Sequence, residues 1–94
     1  MPSEAGDDSS PVVTLYGRSN CGLCEEAERM LRAINRDVAF TLRSVNIEAD
    51  PILLDRYVFA IPVVVVGEVE IARAPLRRGS LENALRAALR PIRK

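Results

Sequence analysis

The chain has only two cysteines, three positions apart in Cys21-Gly22-Leu23-Cys24, and they fall where one kind of local order gives way to another. Before them, Val12-Val13-Thr14-Leu15-Tyr16 is a β-rich apolar run that Gly17-Arg18-Ser19-Asn20 interrupts. After them, Leu23, Ala27, Met30, Leu31 and Ile34 recur at helical offsets, which predicts a helix from Gly22 to about Arg36. The first sulfur therefore sits at a helix start, where unpaired N–H groups and the helix dipole favour a thiolate. The second lies one turn in, close enough to close a disulfide with little chain movement. Cys24 borders the apolar stripe, so it is expected to be the more buried of the two. The pair reads as a redox dithiol.

The rest of the chain extends this strand–loop–helix unit. Val38, Phe40 and Leu42 alternate with Ala39, Thr41 and Arg43, and Val45 and Ile47 follow after a slip of one position. This predicts a second strand with a bulge near Arg43 and Ser44. Asp50-Pro51 opens a short helix, with Asp at the cap and Pro at a position whose missing N–H has no partner to lose. Leu53, Leu54, Tyr57 and Val58 form its inner side, and Tyr57 and Phe59 are expected in the core or at a pocket edge. Pro62-Val63-Val64-Val65-Val66 reads as a strand buried on both faces, Gly67-Glu68 as a tight turn, and Val69-Glu70-Ile71 as the returning strand. Ser80 is expected to cap a last helix with Leu81, Ala84, Leu85, Ala88 and Leu89 inward and Pro91 at its end. The order βαβαββα implies an α/β domain: a four-stranded mixed sheet with helices on both faces. The cysteines then lie beyond the carboxyl end of the first strand, where open α/β sheets place their crevices.

Thirteen basic and thirteen acidic residues cancel, so no net field argues for nucleic acid or an anionic membrane as partner. Residues 1–10 carry Glu4, Asp7 and Asp8 among Pro, Ser and Gly, and are expected to form a solvated tail ahead of a single domain over 11–94. The tail has neither the basic start nor the apolar run of a secretory signal, which suggests a cytoplasmic protein. A reducing cytosol argues against a purely structural disulfide. No apolar run reaches membrane-spanning length. Arg77, Arg78, Arg86, Arg90, Arg93 and Lys94 have no aromatic residues among them and read as a solvated basic face, not an RNA surface. Twelve arginines against one lysine fit a GC-rich bacterial genome.

With the dithiol placed, residues from about 12 to 90 resemble the glutaredoxin-like branch of the thioredoxin superfamily. Tyr16-Gly17-Arg18-Ser19-Asn20-Cys21-Gly22-Leu23-Cys24-Glu25-Glu26-Ala27 is similar to that family's strand–loop–CxxC–helix segment. Val45-Asn46-Ile47-Glu48-Ala49-Asp50-Pro51, Arg56-Tyr57 and Ile61-Pro62-Val63-Val64-Val65 resemble the small bacterial glutaredoxin-like proteins. The resemblance implies a thioredoxin-like, glutaredoxin-type fold, with Cys21 as the attacking thiol, Cys24 as the resolving thiol and Pro62 as a cis-proline facing them. Ile61 would present its backbone to an extended disulfide substrate. Arg18 matches a basic position common in glutaredoxins, and Tyr16 is expected beside the dithiol as a substrate-binding residue. Two segments depart from the family: Ala60-Ile61-Pro62 replaces Thr-Val-Pro, and Ala72-Arg73-Ala74-Pro75-Leu76 replaces a Gly-Gly-Cys-Asp-Asp-like stretch that holds glutathione. Glutathione is therefore expected to be a poor ligand.

These readings imply a thiol–disulfide oxidoreductase without a cofactor. Its partners would be a disulfide-containing protein or a low-molecular-weight thiol, with a reductase or small thiol as reductant, and it would act as a monomer. A helix terminus contributes about 0.3–1 kcal/mol, less than the ~1.4 kcal/mol of a tenfold change, and Glu25, Glu26 and Glu28 oppose a thiolate. Cys21 is thus expected to be a mild nucleophile. Zinc wants four ligands, and two cysteines without a histidine cannot supply them in one chain. Two alternatives remain open at the level of sequence: a dimer that joins four cysteines around a metal or iron–sulfur cluster, and an adaptor of this fold with little turnover.

Overall fold

In the computed structural model, which describes residues 10–89, the strands are β1 (Val12–Gly17), β2 (Thr41–Asn46), β3 (Val63–Val66) and β4 (Val69–Arg73). The helices are α1 (Gly22–Ile34), α2 (Pro51–Tyr57) and α3 (Arg78–Ala88), with one 3-10 turn at Ile47–Ala49. The sheet order is β2-β1-β3-β4. β1 and β2, joined through α1, pair in parallel, and the other two neighbouring pairs are antiparallel. This is the βαβαββα order and mixed four-stranded sheet expected from the sequence.

Alternation along the strands divides the interior in two. Val13, Leu15 and Val64 face α1 and α3, where Ala27, Leu31, Ile34, Leu81 and Leu85 complete one core cluster. Val63 and Val65 face the other way, toward Ile47, Tyr57 and Ala60, with Leu53 and Leu54 of α2 packed beside them. Helices therefore cover both faces, and the run of valines in β3 is buried because it lies between two layers. No helix among the described residues is long and apolar enough to cross a membrane.

Four local expectations are corrected. The second strand begins at Thr41, because Phe40 gives its N–H to the Asn35 side chain at 3.1 Å instead of to the ladder. Val38 and Phe40 reach the core from the approach to the strand. The slip in alternation is not a bulge, since the β1–β2 register runs unbroken from Val12↔Thr41 to Gly17↔Asn46. Leu42 and Val45 lie three apart and face opposite layers, both of which are apolar. The irregularity lies instead between β3 and β4, at Val64/Val65, where Ile71 is the extra residue. Ser80 is not the cap of α3: the N-cap is Arg77, whose carbonyl accepts the Leu81 N–H at 2.8 Å, and Ser80 sits inside the first turn. Phe59 is 99% exposed, not in the core.

The cap of α2 is as expected, with Asp50 Oδ1 accepting the Ile52 N–H at 2.9 Å. The tail at residues 1–9, the helix stop at Pro91 and the basic residues Arg90, Arg93 and Lys94 lie outside the described residues. Leu31 is fully buried at the centre of the first cluster. Leu31→Ala is expected to lower the stability to urea by about 2–5 kcal/mol. Arg32→Ala, which removes only a solvent-exposed pair with Glu28, should cost below about 1 kcal/mol in the same measurement.

Candidate active site

The site is assembled at the end of β1. Gly17 closes the strand, and Asn20 takes a left-handed conformation at φ 56°, one that asparagine adopts more readily than most residues. The chain then enters α1 through Cys21, which is its N-cap, extended at φ −120° and ψ 104°. Cys21 Sγ accepts the Cys24 N–H at 3.1 Å, filling the place that a Ser or Asp oxygen takes at other helix starts. The two cysteines form a disulfide with Cα atoms 5.2 Å apart, within the usual span. Cys21 is half-buried, whereas Cys24 is 7% exposed, so the sulfurs are unequal in the direction expected.

That inequality depends on Gly17. A Cβ at this position would lie 3.0 Å from Cys24 Cβ and 3.1 Å from Cys24 Sγ. In the sequence Gly17 stands out only as the break after the first strand. Its signal was available, because glycine in a strand often marks a close approach of another group. Asn46 was also missed. Its side-chain oxygen accepts the Glu48 N–H at 2.8 Å, and its amide nitrogen donates to Ser19 Oγ at 3.3 Å, tying the end of β2 to the loop before the cysteines.

The remaining site residues fall into three places. Arg18 is exposed and lines an open pocket of about 280 Å³ with Cys24, Glu25, Glu28 and Asn46, on the Cys24 side of the disulfide. Pro62 is buried behind a cis Ile61–Pro62 bond and lines a smaller groove with Leu23, the residue between the cysteines. Tyr16 projects to the opposite face of the sheet from Gly17, and its ring stacks on Tyr57 at 4.8 Å between centroids. Tyr16 and Ile61 pack against the same core cluster.

Ile61 differs in one respect from expectation. Its N–H is donated to the Tyr57 carbonyl at 3.1 Å and so is already engaged within the chain. A second cis bond, Ala74–Pro75, was not anticipated. The Ala74 N–H donates to the Pro62 carbonyl at 3.0 Å, joining the two proline segments. Next to them, Arg73 donates to both carboxylate oxygens of Glu70, and these hydrogen bonds hold the Glu70 carboxyl below its ordinary range and the Arg73 guanidinium above its own. The pair is exposed, so it contributes little stability.

Residues 12–86 match the family described as Glutaredoxin-like domain (DUF836). Among solved structures, the chain is similar to protein XcR50 from X. campestris, at 33% identity, covering 80% of this chain and 96% of that one, with a TM-score of 0.69. It is also similar to protein Ne2328 from Nitrosomonas europaea, at 26% identity, covering 79% and 89% of the two chains, again with a TM-score of 0.69. Its fold is shared with thioredoxin 1 from Thermosipho africanus, at 17% identity, covering 83% and 93%, with a TM-score of 0.63. No curated protein matches the chain.

The contact at Gly17 carries its own test. Gly17→Ala forces backbone or Cys24 to move, and is expected to destabilise the disulfide form by about 1–3 kcal/mol in chemical denaturation. Gly79→Ala, where an added Cβ meets nothing within 4 Å, should show no such loss.

Proposed function

The chain belongs to the glutaredoxin-like domain family, and on that premise we propose that it is a thiol–disulfide oxidoreductase whose dithiol, Cys21 and Cys24, reduces disulfides through a mixed disulfide. The observation that carries this reading is the unequal placement of the sulfurs. Cys21 is half-exposed at the helix N-cap with a backbone N–H directed at its sulfur, and Cys24 is held behind it against Gly17. An N–H directed at sulfur stabilises a thiolate more than a thiol, because a hydrogen bond to an ionised acceptor is roughly twice as strong.

In this mechanism the Cys21 thiolate attacks one sulfur of the substrate disulfide and displaces the other as a thiolate. The Cys24 thiolate then attacks Cys21 Sγ, releasing the second substrate thiol and leaving the Cys21–Cys24 disulfide. The substrate has gained two electrons and two protons, and the dithiol has lost them. A reductase or a small thiol reverses the change in the protein. In this reading Arg18, which lines the pocket beside Cys24, serves the Cys24 side of the site, and the Ile61 carbonyl accepts one bond from an extended substrate. A cytoplasmic monomer suits these roles.

The same geometry makes glutathione a poor partner. The tripeptide has a carboxylate at each end, and the segment after β4 has few donors for one. Pro75 has no N–H, the Ala74 N–H is taken by Pro62, and the Arg73 guanidinium meets a ligand carboxylate only in competition with Glu70. Millimolar glutathione is expected to reduce the Cys21–Cys24 disulfide more slowly than a thioredoxin-type reductase system does, as followed by thiol titration.

The division of labour between the cysteines is tested by trapping. After mixing with a disulfide peptide, Cys24→Ser is expected to accumulate a mixed disulfide through Cys21, and Cys21→Ser to accumulate none, as read by intact mass spectrometry. Equal trapping by both variants would reject the assignment.

A further inference from the structure

The groove that Pro62 shares with Leu23 has a chemistry of its own. One wall is α1, through Leu23, Ala27 and Met30, and the other is the pair of proline segments, through Pro62, Pro75 and Leu76. The groove starts between the two cysteines, at a leucine that is 62% exposed, and holds about 90 Å³, space for one side chain and not for a tripeptide. Its proline wall is poor in donors: Pro62 and Pro75 have no N–H, and that of Ala74 is already bonded. Glu26 is the charged side chain on its lining, and it repels carboxylates.

We propose that this groove receives an apolar side chain that flanks the reactive cysteine of a substrate polypeptide, so that the preferred substrates are protein disulfides with a leucine- or methionine-like neighbour beside the attacked sulfur. The assignment rests on the dithiol activity proposed above. A substrate sulfur bonded to Cys21 brings the adjoining residues over Leu23, and the groove opens there. An aliphatic side chain leaves water on entering, and covers Leu23, Met30 and Leu76 as it does so. An acidic side chain in the same place loses its hydration and meets Glu26, on a wall where Pro62 and Pro75 have no N–H and that of Ala74 is already bonded. Recognition by this groove therefore selects the side chain, while the Ile61 carbonyl contacts only the backbone.

The test uses the reduced full-length protein and short peptides, each with one internal disulfide, that differ only in the residue beside the cysteine: Leu, Ala or Asp, placed on each side of the cysteine in turn. Hydroxyethyl disulfide, small and uncharged, serves as the reference substrate. On one side of the cysteine, the second-order rate constant is expected to be about tenfold higher for Leu than for Ala, and lowest for Asp. Glu26→Lys, a change at an exposed rim position, is expected to raise the Asp peptide relative to the Leu peptide, and Leu76→Ser to shrink the Leu-to-Ala ratio. Equal rates for all three peptides, with hydroxyethyl disulfide still reduced, would overturn the groove assignment and leave the oxidoreductase reading standing. Failure to reduce any of the disulfides, hydroxyethyl disulfide included, would overturn both.

Discussion

The first turn of α1 rests on the end of β1 through bare backbone, with Cys24 against the hydrogen face of Gly17. This contact determines where the helix starts and how far its first turn can lie from the sheet. Because Cys24 is pressed inward, Cys21 is left at the N-cap, partly in solvent, with its sulfur receiving the Cys24 N–H. The two sulfurs are chemically alike, and what separates them is which one touches the strand. The helix then continues into the core through Ala27, Leu31 and Ile34, so the same placement that sets the site also anchors the first cluster.

Much of this was legible because each signal was local. The Asp50-Pro51 cap, the valine strand and the helical stripe of α1 depend on residues close together in sequence, and each formed where expected. The errors arose where a second partner decided the outcome. The apolar pattern from Val38 to Ile47 was read as one strand with a bulge, but Asn35 claims the Phe40 amide and the two covered faces remove the need for a bulge. Ser80 is a good cap by type, yet the helix starts earlier, on the Arg77 carbonyl. Phe59 is apolar and stays outside, since the turn after α2 leaves it no neighbour to pack against.

The site divides in the same way. The disulfide spacing and the order of burial follow from the sequence positions of Cys21 and Cys24 alone. Tyr16, Ile61 and Arg18 depend on which way the strand and loops face. Tyr16 alternates away from Gly17 and meets Tyr57, which a period of two predicts only once Gly17 is known to face Cys24. The Ile61 amide is spent on the last turn of α2, a bond between residues four apart that the strand reading of the following valines did not include.

The bond from the Ala74 N–H to the Pro62 carbonyl also has the register of a strand pair. It continues the antiparallel β3–β4 ladder one step past Val63↔Arg73. The two proline segments are thus the frayed end of a sheet, held to each other as its strands are, and not a pair of independent loops. A wall of that kind is ordered before anything arrives. A side chain that enters beside it gives up its own rotational freedom and displaces water, while the protein has little chain entropy left to lose, so the thermodynamic mark of occupancy is a negative heat-capacity change in place of a large ordering cost.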